Sequence, residues 1–212
     1  MAFAVEMFKR MVEGIIAPAR SARGVLAERW GLDTAIQIAI LAYCLNAILA
    51  ILMPDARATA LPGSWVVAHL VNIIAQVLLV GLLGGLIWGI GALFGGKGTL
   101  YPAFALSAWH TLVTVLLGPL FMLGTGAMRR AHEAAKAAAA AAGEGAAEVP
   151  APMDLGAAST GILVLFAFGV AAWFWLMAVY AMELHGFRNV WSVLGVMVAA
   201  AMLFSAFALN LA

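Results

Sequence analysis

Long apolar stretches separated by short polar breaks dominate this chain. Each stretch is close to or above the roughly 20 residues that an α-helix needs to cross about 30 Å of hydrocarbon. Five of them occur, at about residues 34–53, 65–94, 102–124, 157–182 and 190–211. The pattern predicts an all-α integral membrane protein whose residues 34–212 form a five-transmembrane-helix bundle.

Residues 1–33 precede the first apolar stretch and follow a different pattern. Apolar residues recur at helical spacing, and charged residues occupy the opposite side; the two sets are Phe8, Met11, Val12, Ile15 and Ile16, and Glu6, Lys9, Arg10 and Glu13. This alternation predicts an N-terminal amphipathic interfacial helix, lying on the cytoplasmic membrane face. Pro18 ends it, and Ser21 can cap a second short helix. The lead is either an anchor that seats the bundle or a docking surface for a partner.

The basic residues predict the orientation of the five spans. With the N-terminus in the cytoplasm, seven basic residues lie inside and four outside, as the positive-inside rule favours. Five spans then put the C-terminus outside. Residues 125–156 become an external alanine-rich loop, helical over Met128 to Ala142 because alanine favours helix and Arg129, Glu133 and Lys136 have helical spacing. The rest of that loop reads as a flexible linker.

Composition agrees with a membrane location and excludes several functions. Hydrophobic residues make up 66% and charged residues 10% of the chain, with a mean hydropathy of +1.06. The net charge of +1 comes without a basic stripe, so nucleic acid is not an expected partner. The single cysteine, Cys44, gives neither an internal disulfide nor a cysteine-based zinc site. The preference for Ala, Gly and Arg favours the inner membrane of a bacterium.

Polar residues inside predicted spans form two stripes. They are His69, Asn72 and Gln76 on the second span, and Ser107, His110, Thr111 and Thr114 on the third. Each set lies on one helix face, and across the short loop the faces of an antiparallel hairpin can share hydrogen bonds. Three interpretations stay open: interhelical glue, a polar pocket or translocation route, and a metal or haem site that uses His69 and His110. We expect the glue, with no cofactor and no metal.

Glycines on the second span form two overlapping G-x-x-x-G steps, Gly81, Gly85 and Gly89. Such steps allow close helix approach and predict a packing surface. Its partner is another helix of the same chain or a second copy of the chain. The second and third spans are expected to form the centre of the bundle.

Two short loops carry most of the remaining polar chemistry. One is the glycine-rich loop with Gly95, Gly96 and Lys97; the other follows the aromatic fourth span and contains Glu183, His185 and Arg188. Glu183 and Arg188 are placed to pair. The second loop is either an anchored hairpin or a loop that recognises a partner.

The whole arrangement resembles the Yip domain, a family of five-span membrane proteins. The resemblance is carried by Ile16-Ala17-Pro18-Ala19, the loop Gly95-Gly96-Lys97-Gly98-Thr99, the aromatic fourth span and the turn Met182-Glu183-Leu184-His185-Gly186. Eukaryotic members interact with Rab-type GTPases and act in early secretory traffic, and bacterial members share the topology. The resemblance implies a non-catalytic scaffold.

Enzyme chemistry finds little support in the residues. The glycine-rich loop lacks the G-x-x-x-x-G-K-[ST] spacing of a nucleotide site, and no G-x-S-x-G motif occurs. The expected function is therefore a membrane scaffold or adaptor with a role in membrane organisation or trafficking. Its partners would be the lipid bilayer and a membrane protein or a second copy. The alternatives are a small transporter or lipid-handling protein that uses the polar stripes, and an accessory subunit of a larger complex.

Overall fold

A computed structural model describes residues 2–52, 65–142 and 156–209. Across these ranges the regular structure is helical, as expected, and no strand occurs. The helices are α1 (Ala2–Ile16), α2 (Pro18–Glu28), α3 (Leu32–Leu52), α4 (Trp65–Leu93), α5 (Leu100–Thr114), α6 (Gly118–Ala142), α7 (Gly156–His185) and α8 (Val190–Leu209).

Four helical segments are long and apolar enough to cross a membrane. They are Leu32–Leu52, Val66–Leu93, Leu100–Ala134 and Thr160–His185, which match the first four predicted spans and indicate a membrane protein. The fifth predicted span coincides with α8, whose described apolar segment is Val190–Ala199. The fifth crossing therefore stays a prediction.

The third span is interrupted, which its hydrophobicity did not indicate. A 3-10 turn, Val115–Leu117, separates α5 from α6. Pro119, the second residue of α6, lies two residues after this turn and provides the physical reason, because proline has no N–H to donate and its ring clashes with the carbonyl four residues earlier, that of Val115. The apolar segment continues through the break into α6.

The alanine-rich segment is helical to Ala142, as predicted, and belongs to α6 instead of forming a separate helix. Arg129 and Glu133 approach to 3.8 Å at i, i+4 spacing. His132 is exposed, which agrees with a surface residue. The predicted flexible linker lies outside the described residues.

The N-terminal helices pack into the bundle instead of forming only a surface layer. Ala22 and Val25 of α2 are buried, and the Ser21 hydroxyl accepts a hydrogen bond of 2.7 Å from the Trp109 indole on α5. In α1, Met11 is buried whereas Phe8 is exposed. The predicted apolar face of α1 is therefore divided between the bundle and the surroundings. Its position relative to a membrane face stays a prediction.

Helix α5 forms the centre of the bundle. Nine of its fifteen residues are buried, and Trp109 packs edge-on against Trp30 with ring centroids 5.7 Å apart. Helix α4 runs antiparallel beside it, since Ser107 contacts Val80 and Phe104 lies against Gly84. The expected hairpin therefore exists, but α4 also has a broad outward face with many exposed leucines, isoleucines and valines.

Candidate functional site

The two loops singled out in the sequence meet at one end of the bundle. His185, the last residue of α7, is 4% exposed and lies between the end of α4 and the glycine-rich loop. We call this region the His185 junction: His185 with its neighbours from Glu183 to Arg188, the α4 terminus from Ile87 onward, and the loop Gly95-Gly96-Lys97-Gly98-Thr99. The two loops are adjacent in space although about ninety residues separate them, as the Gly98 to His185 contact shows.

Both ring nitrogens of His185 have backbone partners. The Gly98 N–H donates to Nδ1 at 3.1 Å, and Nε2 lies 3.1 Å from the Ile87 carbonyl oxygen. A carbonyl only accepts and an amide N–H only donates, so in this arrangement Nδ1 accepts a hydrogen bond and Nε2–H donates one. The ring thus joins α4, α7 and the loop through two hydrogen bonds.

Gly91, Gly96 and Gly98 leave the space that the imidazole fills. A Cβ built on Gly91 or Gly96 would overlap the His185 ring, and one built on Gly98 would press against Leu184 and the same ring. Packing thus explains this glycine cluster without a phosphate ligand.

Both helices that enter the junction end in the same way. Gly95 and Gly186 have positive φ values, 73° and 70°. After them, the Gly96 N–H donates to the Gly91 carbonyl at 2.9 Å and the Phe187 N–H donates to the Met182 carbonyl at 3.0 Å. These are the six-to-one bonds of Schellman caps, in which glycine adopts the left-handed conformation without a side-chain penalty. The caps fix the direction in which each loop leaves its helix.

Charged residues at the junction are distributed differently from the expectation. Glu183 accepts a hydrogen bond of 2.9 Å from the Arg23 guanidinium on α2, so it pairs across 160 positions instead of with Arg188. Lys97 and Arg188 are exposed, and no carboxylate of a described residue lies within ion-pair distance of either. The junction therefore presents two cations without a described counter-charge.

The polar stripe on α5 bonds mainly to backbone carbonyls. Ser107 donates to the Val80 carbonyl on α4 at 2.7 Å, and His110 Nε2 lies 3.2 Å from the Trp173 carbonyl on α7. Thr111 and Thr114 donate to carbonyls of their own helix, four and three residues earlier. Ser107 and His110 thus connect α5 to two neighbouring helices, and the choice between glue and a polar pocket stays a prediction.

The polar stripe on α4 has a different neighbour. The His69 ring is hydrogen-bonded to the Tyr43 hydroxyl of α3, Asn72 is exposed and Gln76 is half-buried. The described contacts of this stripe thus lead toward α3, whereas those of the α5 stripe lead to the backbones of α4 and α7. Sharing of hydrogen bonds between the two stripes, which we expected, is not what these contacts show.

The G-x-x-x-G face is open within the described chain. A Cβ built on Gly81, Gly85 or Gly89 meets no described atom within 4 Å. The glycine of α4 that accommodates α5 is Gly84, where a Cβ would overlap Phe104. Close packing within the chain therefore uses a different face from the one predicted, and the interpretation through a second copy stays a prediction.

Two features were missed by sequence reasoning. One is the contact of α2 with the junction through Arg23. Arg23 and Glu183 are too distant in sequence for any local pattern to indicate their pairing. The other is a cavity of about 390 Å³ at the break between α5 and α6, lined by residues that include Asn46, Thr114 and Trp173. Asn46 lies within the first span and Pro119 marks the break, so both signals were present in the sequence.

The metal-site interpretation finds no cluster of ligand side chains in the described ranges. No group of three or more His, Cys, Asp or Glu side chains there is arranged to hold a metal ion. His69 contacts Tyr43, and His110 contacts Trp173 and Tyr180. The two histidines are thus bonded to different helices.

Comparison with known proteins adds no assignment. No protein-family model, no curated protein and no solved structure matches this chain.

Proposed function

We propose that this protein is a non-catalytic membrane scaffold or adaptor of the Yip-domain type, and that the His185 junction is its partner-binding surface. The observation that carries the proposal is the convergence of both loops on His185, with Lys97 and Arg188 exposed beside it. In this proposal the N-terminus and the junction face the cytoplasm of a bacterial cell, all five apolar stretches cross the inner membrane, and the C-terminus lies outside.

The geometry favours binding because the loops are fixed before a partner arrives. Two helix caps and two hydrogen bonds from one ring restrict the loops, so little conformational entropy remains to be lost on association. Lys97 and Arg188 would attract an acidic segment of a membrane protein and set its orientation. Such a partner makes the chain an adaptor, or an accessory subunit if the association is permanent.

Capture in a mild detergent, after cross-linking in intact cells, tests the proposal. We expect one partner to co-purify with the native chain and to be lost from a Lys97→Glu/Arg188→Glu double variant. Lys136→Glu is the matched control, because Lys136 is an exposed cation on α6, away from the junction. Recovery of the bare protein under every condition, or retention of the partner by the double variant, would contradict the proposal.

The cavity at the α5–α6 break favours a second candidate, a small transporter or lipid-handling protein. Broken helices beside polar side chains occur at transport sites, and Asn46 and Thr114 line this cavity. Reconstituted protein that moves ions or lipids across a vesicle membrane, with flux abolished by Asn72→Leu/Gln76→Leu, would support transport along the α4 stripe and overturn the scaffold. Flux that survives this double change but is lost in Asn46→Leu would place transport at the cavity.

A further inference from the structure

A groove of about 380 Å³ lies between α2 and the first turns of α5. Its floor is apolar and includes Val25, 1% exposed, and Ala105, 2% exposed. Its rim includes Trp30, Tyr101 and Arg29. The groove thus combines an apolar trough with aromatic and cationic groups at one edge.

Arg29 is held at this rim by the backbone. It is the C-cap of α2 and adopts the left-handed conformation, with φ 51° and ψ 49°, and among the described residues it is the only non-glycine with positive φ. This conformation is costly for a side chain with a Cβ. Glycine, the usual residue at such a position, would remove the guanidinium from the rim.

The acidic residue next to Arg29 is already engaged. Glu28 Oε1 accepts a hydrogen bond of 2.7 Å from Arg10, and Glu28 Oε2 accepts one of 2.6 Å from the Trp30 indole. No carboxylate of a described residue lies within ion-pair distance of Arg29 itself. The groove rim therefore carries a positive charge without a described counter-ion.

We propose that this groove binds one anionic phospholipid, with the headgroup phosphate at Arg29 and an acyl chain along the apolar floor. The guanidinium fork matches phosphate oxygens, and Trp and Tyr favour the headgroup level of a bilayer. Tyr101 is 69% exposed in the first turn of an apolar segment long enough to cross a membrane. The lipid would join α2 to α5 at the point where the N-terminal helices enter the bundle.

Native mass spectrometry of the full chain in neutral detergent tests the site. The probes are dioleoyl phosphatidylglycerol and dioleoyl phosphatidylcholine, which differ in headgroup charge and share acyl chains. We expect the native chain to retain one phosphatidylglycerol in preference to phosphatidylcholine. Arg29→Gly should reduce this preference roughly fivefold, the effect of about one basic residue near a lipid surface. Arg29→Lys should keep most of it.

Control variants distinguish loss of lipid binding at Arg29 from misfolding and from the loss of any one positive charge. Arg29→Gly should leave the lipid-free unfolding temperature unchanged or higher, because glycine suits the left-handed conformation. If Arg29→Gly lowers that temperature, Arg29→Gln carries the test of lost charge. Lys9→Gln, at an exposed cation of α1, should keep the lipid preference. Equal retention of both lipids, a preference that survives loss of the Arg29 charge, or an equal loss in Lys9→Gln would overturn the proposal.

Discussion

Helix α4 has two regions rich in glycine, and they behave in opposite ways. At its end, Gly91 and the loop glycines Gly96 and Gly98 lie so close to His185 that an added Cβ would meet the ring. Along its outward face, Gly81, Gly85 and Gly89 have open space around the same position within the described chain. A glycine motif in a span therefore predicts close approach only when a partner faces it. In α4, Gly91 packs against His185 and Gly84 packs against Phe104 of α5.

Replacing His185 at the junction should cause the largest loss of stability. His185→Ala leaves the Gly98 N–H without its acceptor, removes the additional hydrogen bond to the Ile87 carbonyl and opens a void beside three glycines. We expect the free energy of unfolding in detergent to fall by about 3 kcal/mol, from lost packing and unsatisfied polar groups. Thermal or chemical unfolding of the purified protein measures it.

His132→Ala is the matched control for this change. His132 is exposed on α6, and its replacement should alter stability by less than about 0.5 kcal/mol. Equal stability of the two variants would show that the His185 ring does not hold the junction.

Adjacent glycines of α4 sharpen the comparison between its two faces. Gly84→Ala places a methyl group against Phe104 and should destabilise the protein by about 1–3 kcal/mol. Gly85→Ala meets open space and should stabilise it by about 0.4–1 kcal/mol, because alanine restricts the unfolded chain. Unfolding of both variants at several protein concentrations is the measurement.

The concentration series also tests whether a second copy packs on the outward face. If it does, Gly85→Ala should lower stability more as the protein concentration rises, since the added methyl group blocks association. An effect of the same sign and size for Gly84→Ala and Gly85→Ala would remove the distinction between the two faces.

Removing a hydroxyl group of α5 should change the free energy of unfolding least among these variants. Ser107→Ala removes the hydrogen bond to the Val80 carbonyl and should cost about 0.6 kcal/mol, typical of interhelical bonds in membranes. Thr111→Val should cost less, because the Thr111 hydroxyl donates within its own helix. A double variant with Gly84→Ala would report whether the two α4–α5 contacts act together. A larger loss for Thr111→Val than for Ser107→Ala would contradict the assignment of Ser107 as the interhelical bond.

Much of the helical framework is predictable from the sequence because apolar stretches of span length require satisfied backbone groups. The first four spans follow in this way, and the helical nature of the alanine-rich segment follows from the helix propensity of alanine. The break at Pro119 was missed because hydrophobicity does not report a missing amide donor. The pairing of α4 with α5 followed from the short loop, whereas its register depends on the fit of Gly84 against Phe104.

The candidate site was predicted as two separate loops. Their residues carried the signal, since His185, Gly98 and the glycines around them were singled out, but their contact depends on how α7 packs against α4. The pairing of Glu183 with Arg23 could not be predicted either, because it depends on how α2 packs against α7. The sequence predicts a local i, i+5 pair with Arg188, whereas the docking of α2 against α7 places the Arg23 guanidinium nearer to Glu183.

Hydrogen exchange at the glycine-rich loop tests the central claim, that His185 holds the two loops together. In the native protein the Gly98 amide donates to His185 Nδ1, so the peptide covering residues 95–101 should exchange slowly. His185→Ala should speed its exchange strongly while a peptide from α6 keeps its rate. Equal exchange of the loop peptide in both proteins would contradict the claim.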